Sequence, residues 1–120
     1  MSERSERPYD LEERTFLFAK NVRAFLKTIP HTIANVEDGR QLIRASGSVG
    51  ANYIEANESL GKKDFKLHIR ISRKEAKESA YWLRLLDTGP KQDVECVRQA
   101  LVQEAIELMR ILAAILRNTE

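Results

Sequence analysis

The chain is short of nearly everything that staples, anchors or bends a polypeptide. It has one cysteine, Cys96, so no intrachain disulfide can form, which fits a reducing compartment or a fold indifferent to redox state. Two distant histidines, His31 and His68, together with that thiol do not make a typical zinc site without a partner chain. Glycine (5) and proline (3) are scarce, and no stretch alternates apolar and polar residues with period two, which argues against a sheet. The longest uncharged apolar run is Ile111–Leu116, far short of the roughly 20 residues that cross a bilayer, so no membrane partner is expected. Residues 1–14 are charged throughout and lack the apolar stretch of an export signal, which makes a cytoplasmic location the expectation. Nor is one charge in surplus. Lys and Arg total 20 against 18 Asp and Glu, a net of +2 that excludes an acidic tail or a histone-like polycation.

What remains is a helical pattern. With 42% hydrophobic and 32% charged residues in 120, the chain has the composition of one globular domain, 1–120, able to bury a core unaided. Pro8, Pro30 and Pro90, with Gly39, Gly61 and Gly89 near segment ends, delimit helices at about 10–28, 38–59, 62–88 and 91–118, after a flexible N-terminus at 1–9. Short connections make consecutive helices antiparallel neighbours, so the expected fold is all-α, an up-down-up-down four-helix bundle. Leu11, Phe18, Val22, Phe25 and Ile29 form the core stripe of the first helix, and Leu42, Ala45, Ser46, Val49, Tyr53 and Ala56 that of the second. The small residues from Ala45 to Ala51 predict close approach of a neighbouring helix. Phe65, Ile69, Ser72, Ala76, Ser79, Leu83 and Leu86 share a face of the third. The fourth carries two stripes. Val94, Val97, Leu101, Ala105, Leu108, Leu112 and Ile115 form the first, and Val102, Ile106, Met109, Ala113 and Leu116 the second, about 110° around the helix. In a single bundle the second stripe would lie largely exposed, which predicts an interface in a homo-oligomer.

Little chemistry is encoded. The residues three before His31 and His68 are Thr28 and Phe65, so the Glu-x-x-His signature of di-iron bundles is absent. Ala56–Lys63 (ANESLGKK) departs from a phosphate-binding loop at its first glycine and its hydroxyl position. Ser46 and Ser48 lack a nearby histidine, and Glu75 and Glu78, among lysines, predict helix-surface ion pairs. No enzyme and no cofactor is expected.

Charge is unevenly placed. Residues 62–79 hold seven basic residues against three acidic ones, a local net of +4. Lys63, Lys66, Arg70, Arg73 and Lys77 fall in a band about 80° wide, away from the core face. The first helix repeats the device with Lys20, Arg23 and Lys27, and no acid occurs between Arg14 and Glu37. Two such stripes could track a nucleic-acid backbone, RNA or DNA, by charge and shape rather than by base edges; a solvated face is the alternative.

Arg44-Ala45-Ser46, Ser48-Val49-Gly50-Ala51-Asn52-Tyr53-Ile54-Glu55, Asp64-Phe65, Ile71, Arg73, Glu78 and Leu83 make residues 41–86 similar to a known family. It is the four-helix bundle, or 23S rRNA intervening-sequence, protein family. The family's pattern Ser-Ile-Pro-x-Asn-Ile-Ala-Glu-Gly is matched at Ser48, Asn52 and Glu55 and departed from at Gly50, Tyr53, Ile54 and Ala56. The resemblance implies a left-handed bundle, a ring-like homopentamer and no enzymatic activity. It also implies two settings. Some relatives are encoded within ribosomal RNA gene insertions, and others are retroelement accessory proteins whose basic pentamer binds nucleic acid and a reverse transcriptase.

Asn52 and Glu55, the matched polar residues, are expected to pin helix register through hydrogen bonds, with ligand binding the alternative. Tyr81 and Trp82 follow the basic stripe. They either stack on a base or, more in keeping with most such pairs, close the end of the bundle or fill a subunit contact. The functional expectation is a non-enzymatic homo-oligomer binding nucleic acid through Lys20, Arg23, Lys27, Lys63, Lys66, Arg70, Arg73 and Lys77. The alternative is a protein-interaction scaffold, such as an accessory subunit of a reverse transcriptase.

Overall fold

A computed structural model describes residues 10–119, all in helices and their connections; the expected flexible segment 1–9 lies outside the described residues. The helices are α1 (Leu11–Leu26), α2 (Ile33–Asn57), α3 (Lys62–Leu85) and α4 (Gln92–Asn118). Among the described residues there is no strand, and no helix is long and apolar enough to cross a membrane.

Local chemistry explains most boundaries. Glu12 and Glu13 in the first turn of α1 favour its dipole. α2 starts five residues before the position expected from its glycine, because Thr32 caps it by accepting a hydrogen bond from the Asn35 amide at 3.0 Å. Gly39 does not break the helix. It is buried inside α2 beside Leu26, to which an added Cβ would come within 3.6 Å. α3 stops at Leu85 because Leu86 is extended, and Gly89 turns the chain with a φ of 77°.

The helices pack in chain order as a ring, α1 on α2, α2 on α3, α3 on α4, and α4 back on α1, with the last seam the sparsest. The backbones of the two diagonal pairs, α1 with α3 and α2 with α4, do not approach closely. The core is filled by Phe18, Val22, Leu42, Val49, Ile69, Leu83, Leu108 and Leu112, each at most 2% exposed. The small residues of α2 admit α1 closely. A Cβ on Gly50 would stand 2.7 Å from Thr15 Oγ1 and 3.1 Å from Thr15 Cβ, and Thr15 Oγ1 is already bonded to the Leu11 carbonyl at 2.7 Å. On the other side of α2, Ser72 Oγ of α3 donates to the Val49 carbonyl at 2.6 Å.

Two polar side chains lock the end of the bundle where the α1–α2 and α3–α4 connections lie. Asn35 Nδ2 donates to the carbonyls of Pro30 and Asp87, both at 2.8 Å, and its Oδ1 accepts from the Asp87 amide at 2.9 Å. Arg98 Nη1 donates to the carbonyls of Leu83 (3.2 Å), Arg84 (3.2 Å) and Leu86 (2.7 Å) at the C-terminus of α3, where helical donors run out; Leu83 also accepts the Leu86 amide, at a long 3.4 Å.

Candidate nucleic-acid interface

The third and fourth helices bring six cations to one trough of about 760 Å³. Arg70, Arg73, Lys74 and Lys77 of α3 face Arg110 and Arg117 of α4 across a floor of Met109 and Ala113. No carboxylate lines it. Arg110 reaches Glu107 outside the trough at 3.8 Å; among the described residues the side chains of the other five make no hydrogen bond or ion pair. Like charges gathered without counter-charges repel one another, and an anion laid along the trough relieves that repulsion.

Of the eight basic residues singled out from sequence, the trough gathers Arg70, Arg73 and Lys77. Lys63 is exposed and Lys66 half-buried, both outside its lining. Lys20, Arg23 and Lys27 lie on α1, diagonal to α3 and outside the lining of the trough. Arg23 turns to α2, with Nη2 donating to the Ile43 carbonyl at 3.2 Å and Nη1 meeting Ser46 Oγ at 3.4 Å. Lys20 sits over the Phe16 ring, 5.8 Å from its centroid, and Lys27 is exposed beside the α1–α2 connection. Lys74, Arg110 and Arg117 join the trough without belonging to either sequence stripe. Arg110 and Arg117 are seven residues apart on α4, a same-face spacing that was legible, though nothing in the sequence says which neighbour that face meets.

The second stripe of α4 needs correction. Val102, Ile106, Met109 and Ala113 are half-buried and Leu116 is buried within the chain, rather than largely exposed. The reason is α3, which flanks this side of α4. Val102 and Met109 pack against the core, and Met109 and Ala113 floor the trough with α3 residues. What is corrected is the expected exposure of the stripe; four of the five keep part of their surface open. Glu75 also departs from expectation. It is buried, 7% exposed, rather than ion-paired at the surface, and its Oε1 has no hydrogen-bond partner among the described residues.

Asn52 bridges α2 and α3. Its Nδ2 donates to the Ser48 carbonyl (3.0 Å) and Ser48 Oγ (2.9 Å), leaving Oδ1 to accept from His68 Nδ1 at 3.2 Å. His68 Nε2 lies 3.7 Å from Asp64 Oδ1. Glu55 is exposed, and its backbone carbonyl accepts from Ser59 Oγ at 3.1 Å.

A second groove, about 730 Å³, runs along the α1–α4 seam. It is apolar, with Phe18, Phe25 and Leu101 beneath and half-exposed Leu17 and Val97 at its lips. Arg14 and Glu104 cross it as a bidentate pair, Nε–Oε2 at 2.7 Å and Nη2–Oε1 at 3.0 Å. That carboxylate raises the Arg14 pKa above its ordinary value. Near the start of α4 the Glu95 carboxyl is pulled down to about 2 by hydrogen bonds from Thr88, Arg98 and Gln99. Among the described residues no group of three or more His, Cys, Asp or Glu is placed to hold a metal ion.

Comparison with known proteins bears on both family and fold. The family model described as 23S rRNA-intervening sequence protein matches residues 9–115. The fold is similar to the crystal structure of a protein with unknown function from the S23 ribosomal protein family of Bacteroides thetaiotaomicron, with a TM-score of 0.71. The match covers 88% of this chain and 96% of that one at 24% identity, a likeness of fold. No curated protein matches.

Proposed function

The chain belongs to the 23S rRNA-intervening sequence protein family, and from that premise we propose that it is a non-enzymatic, cytoplasmic nucleic-acid-binding bundle whose contact surface is the α3–α4 trough. The observation that carries this reading is the set of six cations around one trough with no carboxylate in its lining. Arginine forks grip phosphate oxygens in pairs while lysines act as point charges, so such a surface favours a phosphodiester backbone irrespective of base sequence. In a homo-oligomer, the ring-like pentamer of the family resemblance included, symmetry would repeat the trough and multiply its hold on one polyanion.

The test is fluorescence anisotropy with a labelled structured RNA across a salt series. Wild type binds, and its affinity falls linearly with the logarithm of salt concentration. The double reversal Arg73→Glu with Lys77→Glu lowers affinity about tenfold or more and flattens the salt slope by about 2, one step for each lost phosphate contact. Lys27→Glu, on the diagonal helix, changes little. A wild-type chain that ignores RNA at low salt sinks the proposal. A second reading, a scaffold that docks a protein such as a reverse transcriptase, draws its support from the apolar α1–α4 groove. Binding of a protein partner that is lost on Val97→Glu while RNA binding persists would favour it.

A further inference from the structure

Along α3 the basic row runs onto an aromatic ring. Arg70, Lys74, Lys77 and Tyr81 follow one another at steps of four, three and four residues, a band about 60° wide at 100° per residue. Arg84, exposed, follows Tyr81 less than one turn further along α3. Tyr81 is 54% exposed. Its ring meets Trp82 edge to face, with centroids 5.1 Å apart and planes at 74°, and Trp82 is packed against the core. The tyrosine is therefore buttressed from within while more than half of it stays in water. A braced, exposed ring beside cations is the arrangement that lets a base stack while neighbouring phosphates are neutralised.

We infer that Tyr81 is a base-stacking residue and that the trough takes nucleic acid with unpaired bases, a single strand or a loop. This rests on the trough being the nucleic-acid surface. Lys77 to Tyr81 is a rise of about 6 Å along the helix, so a backbone seated on the α3 cations carries its next base to the ring. A duplex keeps its bases stacked inside and can offer Tyr81 only its backbone. One stacked base tolerates any sequence, since every base has a π face.

The experiment compares a uridine homopolymer, the matching thymidine homopolymer and a blunt RNA duplex of the same length, each labelled and titrated with the full chain. Tyr81→Leu keeps an apolar side chain but removes the π face. It should weaken both single strands, or whichever of the two the protein prefers, about 5- to 150-fold and leave the duplex unchanged. Tyr81→Phe should stay within about twofold of wild type for every probe. Trp82, the only tryptophan in the chain, should change emission when a single strand binds wild type and not when it is added to Tyr81→Leu. Equal losses for single strand and duplex, or no loss at all, overturn the inference. So does a Tyr81→Leu chain whose mass by light scattering differs from wild type, which would make the residue a subunit contact. The two layers fail separately. If Arg73→Glu with Lys77→Glu weakens binding and Tyr81→Leu does not, stacking is wrong and the trough stands; if neither does, the trough is wrong as well.

Discussion

Helix α4 has a neighbour on each flank, and the two flanks are built on opposite chemistry. Against α3 it forms the basic trough of about 760 Å³, and against α1 an apolar groove of nearly the same size, about 730 Å³. On the α3 side, Arg98 ties three carbonyls at the end of one helix to the first turns of the next, and Glu95 holds that guanidinium from behind at 2.6 Å. On the α1 side the seam is sparse and is crossed by the Arg14–Glu104 pair, whose side chains are about a third exposed. The cations thus line the more closely packed of the two seams, toward the end away from the Arg98 clamp, and apolar surface is left along the sparser one. The difference has a physical sense. Cations positioned in advance spare a polyanion the cost of ordering them, whereas an apolar lip can adjust to whatever covers it.

That contrast breaks most readily at Arg98. Arg98→Ala leaves the carbonyls of Leu83 and Leu86 without that donor. We expect a loss of about 2–3 kcal/mol, or a melting temperature roughly 10 °C lower by circular dichroism. A loss indistinguishable from that of Arg14→Ala would show that the two seams are held alike. Arg14→Ala itself should cost about 1 kcal/mol or less, because water reaches both partners, and the difference should shrink further at high salt. The smallest effect is with acid. The Glu95 carboxyl titrates at about 2 in the folded chain against an ordinary 4.5. A depressed carboxylate stabilises the fold above its unfolded value, so this contribution is present at neutral pH and fades as pH falls from about 4.5 to about 2. Urea midpoints across that window should decline less steeply in Glu95→Gln than in wild type. Parallel declines would remove Glu95 from the clamp.

The core was legible because it is written as a period. Phe18, Val22 and Phe25, or Leu101, Leu108 and Leu112, recur at helical spacing, and each is buried as that spacing implies. The start of α2 was not, because Gly39 looks like a terminator to any rule that weighs glycine alone, and the cap that overrides it is the single hydroxyl of Thr32. The candidate site was half legible. Periodicity says which residues share a face of one helix, hence Arg70, Arg73 and Lys77. It does not say which face of another helix lies alongside. Lys20, Arg23 and Lys27 share the basic spacing of α3 yet lie on the diagonal helix, while Arg110 and Arg117 complete the trough from α4. The same limit governs the second stripe of α4, whose exposure depends on α3 lying alongside it.

The lone thiol gives the molecule a ready optical address. Cys96 is exposed on α4 and is the only cysteine in the chain. It stands fourteen residues before Arg110, roughly 21 Å along the axis at 1.5 Å per residue. A maleimide dye attached there would mark the protein at one known point, far from the trough and at the end that Asn35 and Arg98 hold fast. Energy transfer from that dye to a labelled strand end would then read the direction in which a bound nucleic acid lies along α3.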